Sequence, residues 1–134
     1  MIVVDASALS AFILREDEWR DLAKYMVYCA SVDHVVKEVA NAIWKAAYMK
    51  KLLTISEAHK AYDILLRMIN KNVVLYPELK YLSKAVEISM RYGATVYDSL
   101  YIALASEEGM PLLTLDELQI QVAEKLGVTC IKHL

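Results

Sequence analysis

Apolar residues fall along the chain in two kinds of pattern. Unbroken runs at Ile2 to Val4, Val73 to Tyr76, Leu112 to Thr114 and Val128 to Ile131 are only a few residues long and rich in Val, Ile and Leu. Such runs predict strands of a sheet covered on both faces. A fifth strand is expected around Ala30 to Val32. Between the runs, apolar residues recur at helical spacing. Thr54 and Glu57 form a capping box that opens a helix running to about Asn70, and Pro77 opens another that ends near Gly93. The second carries an apolar stripe of Leu79, Leu82, Val86 and Met90. In "DHVVKEVANAIWKA", Val35, Val36, Val39, Ala40, Ile43, Trp44 and Ala47 share one face, with Glu38, Asn41 and Lys45 opposite. Thr95 caps a further helix, and Glu117 to Leu126 forms the last, closed by Gly127 before the final strand. Strands alternating with helices in this way predict an α/β sandwich around a mostly parallel sheet.

Composition narrows the function. At 134 residues and 57 % hydrophobic content, the chain is expected to fold as a single domain over residues 1–134. Its 15 basic and 17 acidic residues give a net charge of −2, which excludes the broad positive footprint of a nucleic-acid coat or a polybasic membrane binder. Any polyanion must be held by a local patch. No targeting segment or membrane-length apolar run is present, so a soluble, cytoplasmic protein is expected. Cys29 and Cys130 lack metal-ligand spacing and are expected to be buried free thiols.

The candidate chemistry lies in four acids. In "IVVDASAL", Asp5 stands where the first strand leaves the sheet, the place where open parallel sheets bind ligands; it is equally placed to cap the next helix on the amides of Ala8 or Leu9. Glu38 lies on the polar face of its helix, where a solvated role is an equal reading. In "TVYDSLYIALA", Asp98 opens a helix that is apolar nearly all round and therefore buried, with no Lys or Arg near it in sequence. "LLTLDEL" sets Thr114 and Asp116 just past a strand end, where Asp116 also suits a helix N-cap. Carboxylates converging on one sheet edge repel one another unless a hard cation shares them, and oxygen-only ligation selects Mg²⁺ or Mn²⁺. Phosphodiester hydrolysis is the chemistry such a site suits. His34, His59 and His133 are scattered, with His34 read as a surface or capping residue, and no glycine-rich phosphate loop occurs.

Taken in order, "IVVDASAL", "EVANAIWKA", "YDSLYIALA" and "LLTLD" resemble the four motifs of the PIN-domain family, and within it the VapC-type toxins of toxin-antitoxin pairs. That resemblance implies a three-layer α/β/α fold and an acidic site of Asp5, Glu38, Asp98 and Asp116. It makes Asp5, Asp98 and Asp116 metal ligands and Glu38 a ligand or an orienter of water. Ser7 and Thr114 would support the first and last acids, and Asn41 is the polar residue one turn after the second. It further implies Mg²⁺- or Mn²⁺-dependent cleavage of RNA, a homodimer, and neutralisation by a small VapB-like antitoxin. Arg15 and Lys45, with Lys50 and Lys51 beyond the end of the Glu38 helix, are the basic residues expected to flank an RNA groove. Two rivals are a PIN-like module that binds RNA or protein without cutting, and a haloacid dehalogenase-type phosphatase, against which Ser7 stands where that class has its second aspartate.

Overall fold

The computed structural model describes residues 1–132, and in it the short apolar runs line up side by side. The strands β1 (Val3–Val4), β2 (Cys29–Val32), β3 (Val73–Tyr76) and β4 (Leu112–Leu113) form a parallel sheet in the order β3-β2-β1-β4. Val3 pairs with Ala30 on one side and Leu112 on the other, while β2 and β3 run in register from Cys29 opposite Val73 to Val32 opposite Tyr76. The expected strand at Val128 to Ile131 reduces to a single bridge between Cys130 and Leu112. There the Leu112 N–H donates to the Thr129 carbonyl at 2.8 Å and the Ile131 N–H to the Leu112 carbonyl at 2.9 Å. Its partner β4 is two residues long, which leaves little edge to pair with.

Helices α1 (Ala6–Ile13), α2 (Trp19–Leu22), α3 (Val35–Trp44), α4 (Ile55–Met68), α5 (Glu78–Tyr92), α6 (Val96–Glu108) and α7 (Glu117–Lys125) connect the strands. Val3 and Val4 are both fully buried although neighbouring strand residues point to opposite faces, so the sheet is covered on both sides. Helix α6 lies across β1, β2 and β4 with α5 and α7 against it; α1, α3 and α4 pack on one another. This is the three-layer α/β/α arrangement. As expected from its all-round apolar sequence, α6 is buried without a break from Ser99 to Ala105. Cys29 and Cys130 are buried free thiols. Among the described residues no helix is long and apolar enough to cross a membrane.

Two helix faces differ from the sequence reading. In α5 the buried residues are Tyr81, Ala85 and Ile88, while Leu79 and Met90 are 81 % and 79 % exposed. Tyr81 turns inward because its hydroxyl donates to Glu108 on α6 at 2.7 Å and its ring packs in the core. The core face of α3 is the narrow stripe Val35, Val39 and Ile43; Trp44 stays half exposed, stacked on Tyr48 with ring centroids 5.8 Å apart.

Candidate active site

Asp5 ends β1 and begins α1, and both readings of it hold together. Its Oδ1 accepts the Ala8 N–H at 2.9 Å as an N-cap, yet the carboxylate is buried and tied to three further side chains. Thr114, just past β4, donates to Oδ2 at 2.6 Å; Gln119, on α7, donates to the same oxygen through Nε2 at 3.1 Å. The Ser7 hydroxyl lies 2.8 and 2.9 Å from the two oxygens and accepts the Leu115 N–H at 3.0 Å. Burial pushes the Asp5 carboxyl up from 3.8 to about 6, against the pull of Thr114, Ala8 and Ser7, and the nearby charge of Asp98 adds to the rise.

Glu38 projects from α3 toward α6. Its Oε1 accepts the Tyr101 hydroxyl at 2.5 Å and lies 3.0 Å from His34 Nε2 one turn earlier. Burial raises the Glu38 carboxyl, but the His34 imidazole and the Tyr101 hydroxyl outweigh it and hold the acid below its ordinary value. Tyr101 is fully buried, and desolvation together with the neighbouring Glu38 charge keeps its hydroxyl protonated. The expectation of a surface or capping His34 is overturned: the residue is 4 % exposed and makes no capping bond. Its ring sits against Tyr101 at 4.8 Å and Tyr97 at 6.1 Å between centroids. Hydrophobic packing from α6 explains the difference. Its Nε2 approach to Glu38 lacks hydrogen-bond alignment, and neither ring nitrogen has another partner. His59 is exposed on α4, and His133 lies outside the described residues.

Asp98 sits in the first turn of α6, its N–H capped by Thr95 Oγ1 at 3.2 Å. Burial raises its pKa, and the charges of Asp116 and Glu38 raise it further. Asp116 is the N-cap of α7, accepting from Leu118 N–H at 2.9 Å and Gln119 N–H at 3.2 Å, and its own N–H donates to Thr114 Oγ1 at 3.1 Å. Asp98 therefore feels Asp5, Glu38 and Asp116, acids from the other three motifs. Among the described residues, Asp5, Asp98 and Asp116 have no ion pair with a base, and no three acidic, histidine or cysteine side chains close into a finished metal cage.

The basic candidates stand apart from this cluster. Arg15, past the far end of α1 from Asp5, lays its guanidinium over the Trp19 ring at 5.2 Å. Lys45 follows Glu38 by two helical turns, roughly 10 Å, and lines a small separate cleft with Leu14 and Glu16. Asn41, by contrast, shares with Glu38 and His34 an open cleft of about 810 Å³. Tyr101 and Gln119 are site residues that the sequence reading missed. Tyr101 falls in an apolar run, and Gln119 carries no charge; only their spacing of three residues after Asp98 and Asp116 marks them as facing the same way.

Comparison with known proteins gives the family and the fold. A family model described as PIN domain matches residues 2–125. Ribonuclease VapC3 from Pyrobaculum aerophilum is 34 % identical over 127 residues, covering 92 % of this chain and 93 % of that protein. The crystal structure of PAE2754 from Pyrobaculum aerophilum superposes with a TM-score of 0.66 at 25 % identity, covering 94 % of this chain and 96 % of that one.

Proposed function

The chain belongs to the PIN domain family, and from that membership we propose that it is a metal-dependent endoribonuclease hydrolysing RNA phosphodiester bonds, acting as the toxin of a toxin-antitoxin pair. The observation that carries the proposal is Asp98: a half-buried carboxylate pressed by Asp116 and Glu38, and itself pressing on Asp5, with no ion pair to a Lys or Arg among the described residues. A name of ribonuclease on a relative covering nearly the whole chain supports the same reaction.

The donor set fits a hard dication, because it is oxygen-only and carries unbalanced negative charge. Asp5, Asp98 and Asp116 would hold Mg²⁺ or Mn²⁺; the open arrangement suits Mg²⁺, which takes few carboxylates and keeps several waters. When bound, such an ion lowers the pKa of water and offsets charge on the phosphate. The protein's own part is orientation. Ser7, Thr114 and Gln119 fix the Asp5 carboxylate, and Thr114 ties it to the Asp116 backbone. Glu38 is kept ionised by Tyr101 and His34 through Oε1, and its Oε2, which accepts no hydrogen bond among the described residues, would orient the attacking water and take its proton.

The proposed partners are RNA, a small antitoxin and a second copy of the chain, in the cytoplasm. Two uncovered apolar surfaces, Leu79 with Met90 on α5 and Trp44 with Tyr48 after Glu38, support contacts with protein. Arg15 and Lys45 remain proposed RNA contacts at the margin.

The decisive experiment is cleavage of a structured RNA pool by purified protein in Mg²⁺, Mn²⁺ or EDTA, beside Asp5→Asn prepared identically. Cleavage that needs metal and disappears in the variant is expected. Cleavage surviving either EDTA or the substitution would overturn the mechanism, and its absence throughout would leave a binding module.

A further inference from the structure

We propose that the cleft beside Glu38 is a subsite for an unpaired nucleobase of the RNA, stacked on the outward face of Tyr97; the proposal rests on the RNA-cleaving function above. The cleft, about 810 Å³, opens between α3, α5 and α6, in the size range of sites for small organic groups. Glu38 forms part of its wall, so it is continuous with the acidic site. Tyr97, in the first turn of α6, immediately precedes Asp98 and is 63 % exposed, while the helix is buried from Ser99 to Ala105. Behind it the rings of His34 and Tyr101 follow at 6.1 and 4.8 Å, tilted by 43° and 34° to their neighbours, so the inner side of Tyr97 is backed by aromatic packing and its outward side is left for a base. His34, more than nine-tenths buried, lines the same cleft; its Nε2 lies 3.0 Å from Glu38 Oε1, and its Nδ1 has no hydrogen-bond partner among the described residues.

The chemistry of the walls selects the occupant. Leu82, Leu100 and Tyr97 offer a flat apolar surface, while Glu38 and Glu78 repel phosphate and accept hydrogen bonds from the amino and imino groups of base edges. Asn41 adds a donor and an acceptor, and Lys37 at the rim has no ion pair among the described residues, leaving it for the phosphate chain. An uncharged planar heterocycle satisfies these walls together. A base held in a duplex is unable to present its face, so the substrate must be unpaired at this point.

The test is equilibrium binding, in EDTA so that no strand is cut, of an oligoadenylate containing 2-aminopurine, single-stranded and as a duplex, to the wild type, Tyr97→Phe and Tyr97→Leu. Because the ring is exposed, these variants keep the fold. The single strand should bind wild type and Tyr97→Phe more tightly than the duplex does, with quenched 2-aminopurine fluorescence. Tyr97→Leu should bind it roughly tenfold more weakly, without the quench. Equal binding by Tyr97→Leu, equal binding of duplex, or no binding by the wild type overturns the subsite. So does a Tyr97→Leu protein that binds RNA normally but loses self-association, which would make the face a protein contact. The two readings fail separately: Mg²⁺-dependent cleavage with an unchanged KM in Tyr97→Leu removes the subsite and keeps the nuclease, whereas a quenched complex with no cleavage by the wild type does the reverse.

Discussion

The hydroxyl of Tyr101 reaches Glu38 across 2.5 Å, joining a residue of the most deeply buried helix to an acid on a helix of the opposite layer. Hydrogen bonds to a charged group are among the stronger ones, and this donor has no solvent to turn to. The proposed role of Glu38 depends on its staying ionised and fixed. Tyr101→Phe should therefore lower kcat for RNA cleavage by about tenfold, roughly 1.4 kcal/mol of barrier, with KM little changed. It should also shift the acid limb of the pH-rate profile upward, because the hydroxyl no longer holds the Glu38 carboxyl down. A profile and kcat equal to the wild type would show that Glu38 takes no part.

Asp5 sets a dependence of stability on pH in metal-free protein. Its carboxyl is raised by burial from 3.8 to about 6 in the folded state, so between these values the native protein holds a proton that the unfolded chain has released. Stability is then fully present below about pH 4 and is lost as pH rises to about 6, by up to about 3 kcal/mol. Asp98, raised by the same burial, acts in the same sense; Glu38, held below its ordinary value, acts in the opposite one at lower pH. Thermal melts in EDTA should show Tm falling from pH 4 to pH 7, and Asp5→Asn should flatten that slope. Mg²⁺ should raise Tm at pH 7 more than at pH 4. An unchanged slope in Asp5→Asn would remove Asp5 as its source.

Thr114 joins two strand ends through one oxygen, donating to Asp5 and accepting from the Asp116 backbone. Thr114→Val keeps the shape but leaves a buried carboxylate oxygen and an N–H short of a partner. A loss of roughly 2 kcal/mol in denaturant unfolding is expected, together with a fall in cleavage. Normal stability would mean that Gln119 and Ser7 suffice to hold Asp5.

Thr54, in contrast, caps α4 far from the acids, accepting the Glu57 N–H at 3.1 Å while Glu57 returns a bond of 2.9 Å to the Thr54 N–H. Thr54→Ala should cost about 1 kcal/mol of stability and leave cleavage at wild-type level when assayed well below Tm. A loss of activity beyond that would tie α4 to the site.

Much of this molecule was legible along the chain because the relevant signals are local. Strand β3 matches its apolar run residue for residue, and the Thr54 and Glu57 box, the Pro77 start and the left-handed Gly93 all fall where side-chain chemistry and backbone sterics demand. Asp5, Asp98 and Asp116 each sit at an element end that a capping preference fixes, and Glu38 lies a turn inside α3.

What the sequence determined, then, was the alternation of strands with the longer helices, the buried helix α6 and the positions of the four candidate acids, since period, caps and charge are properties of neighbours in the chain. The short α2 was missed and the last strand was overcounted. Tertiary structure alone decided which of two apolar stripes α5 turns inward, because Tyr81 needs Glu108 from another helix to satisfy its hydroxyl. It alone buried His34 against Tyr101 and brought Tyr101 and Gln119 to the acids, contacts made across 63 and 114 positions of chain. A periodicity shows that a face is apolar, but only the partner that covers it shows which face is the core.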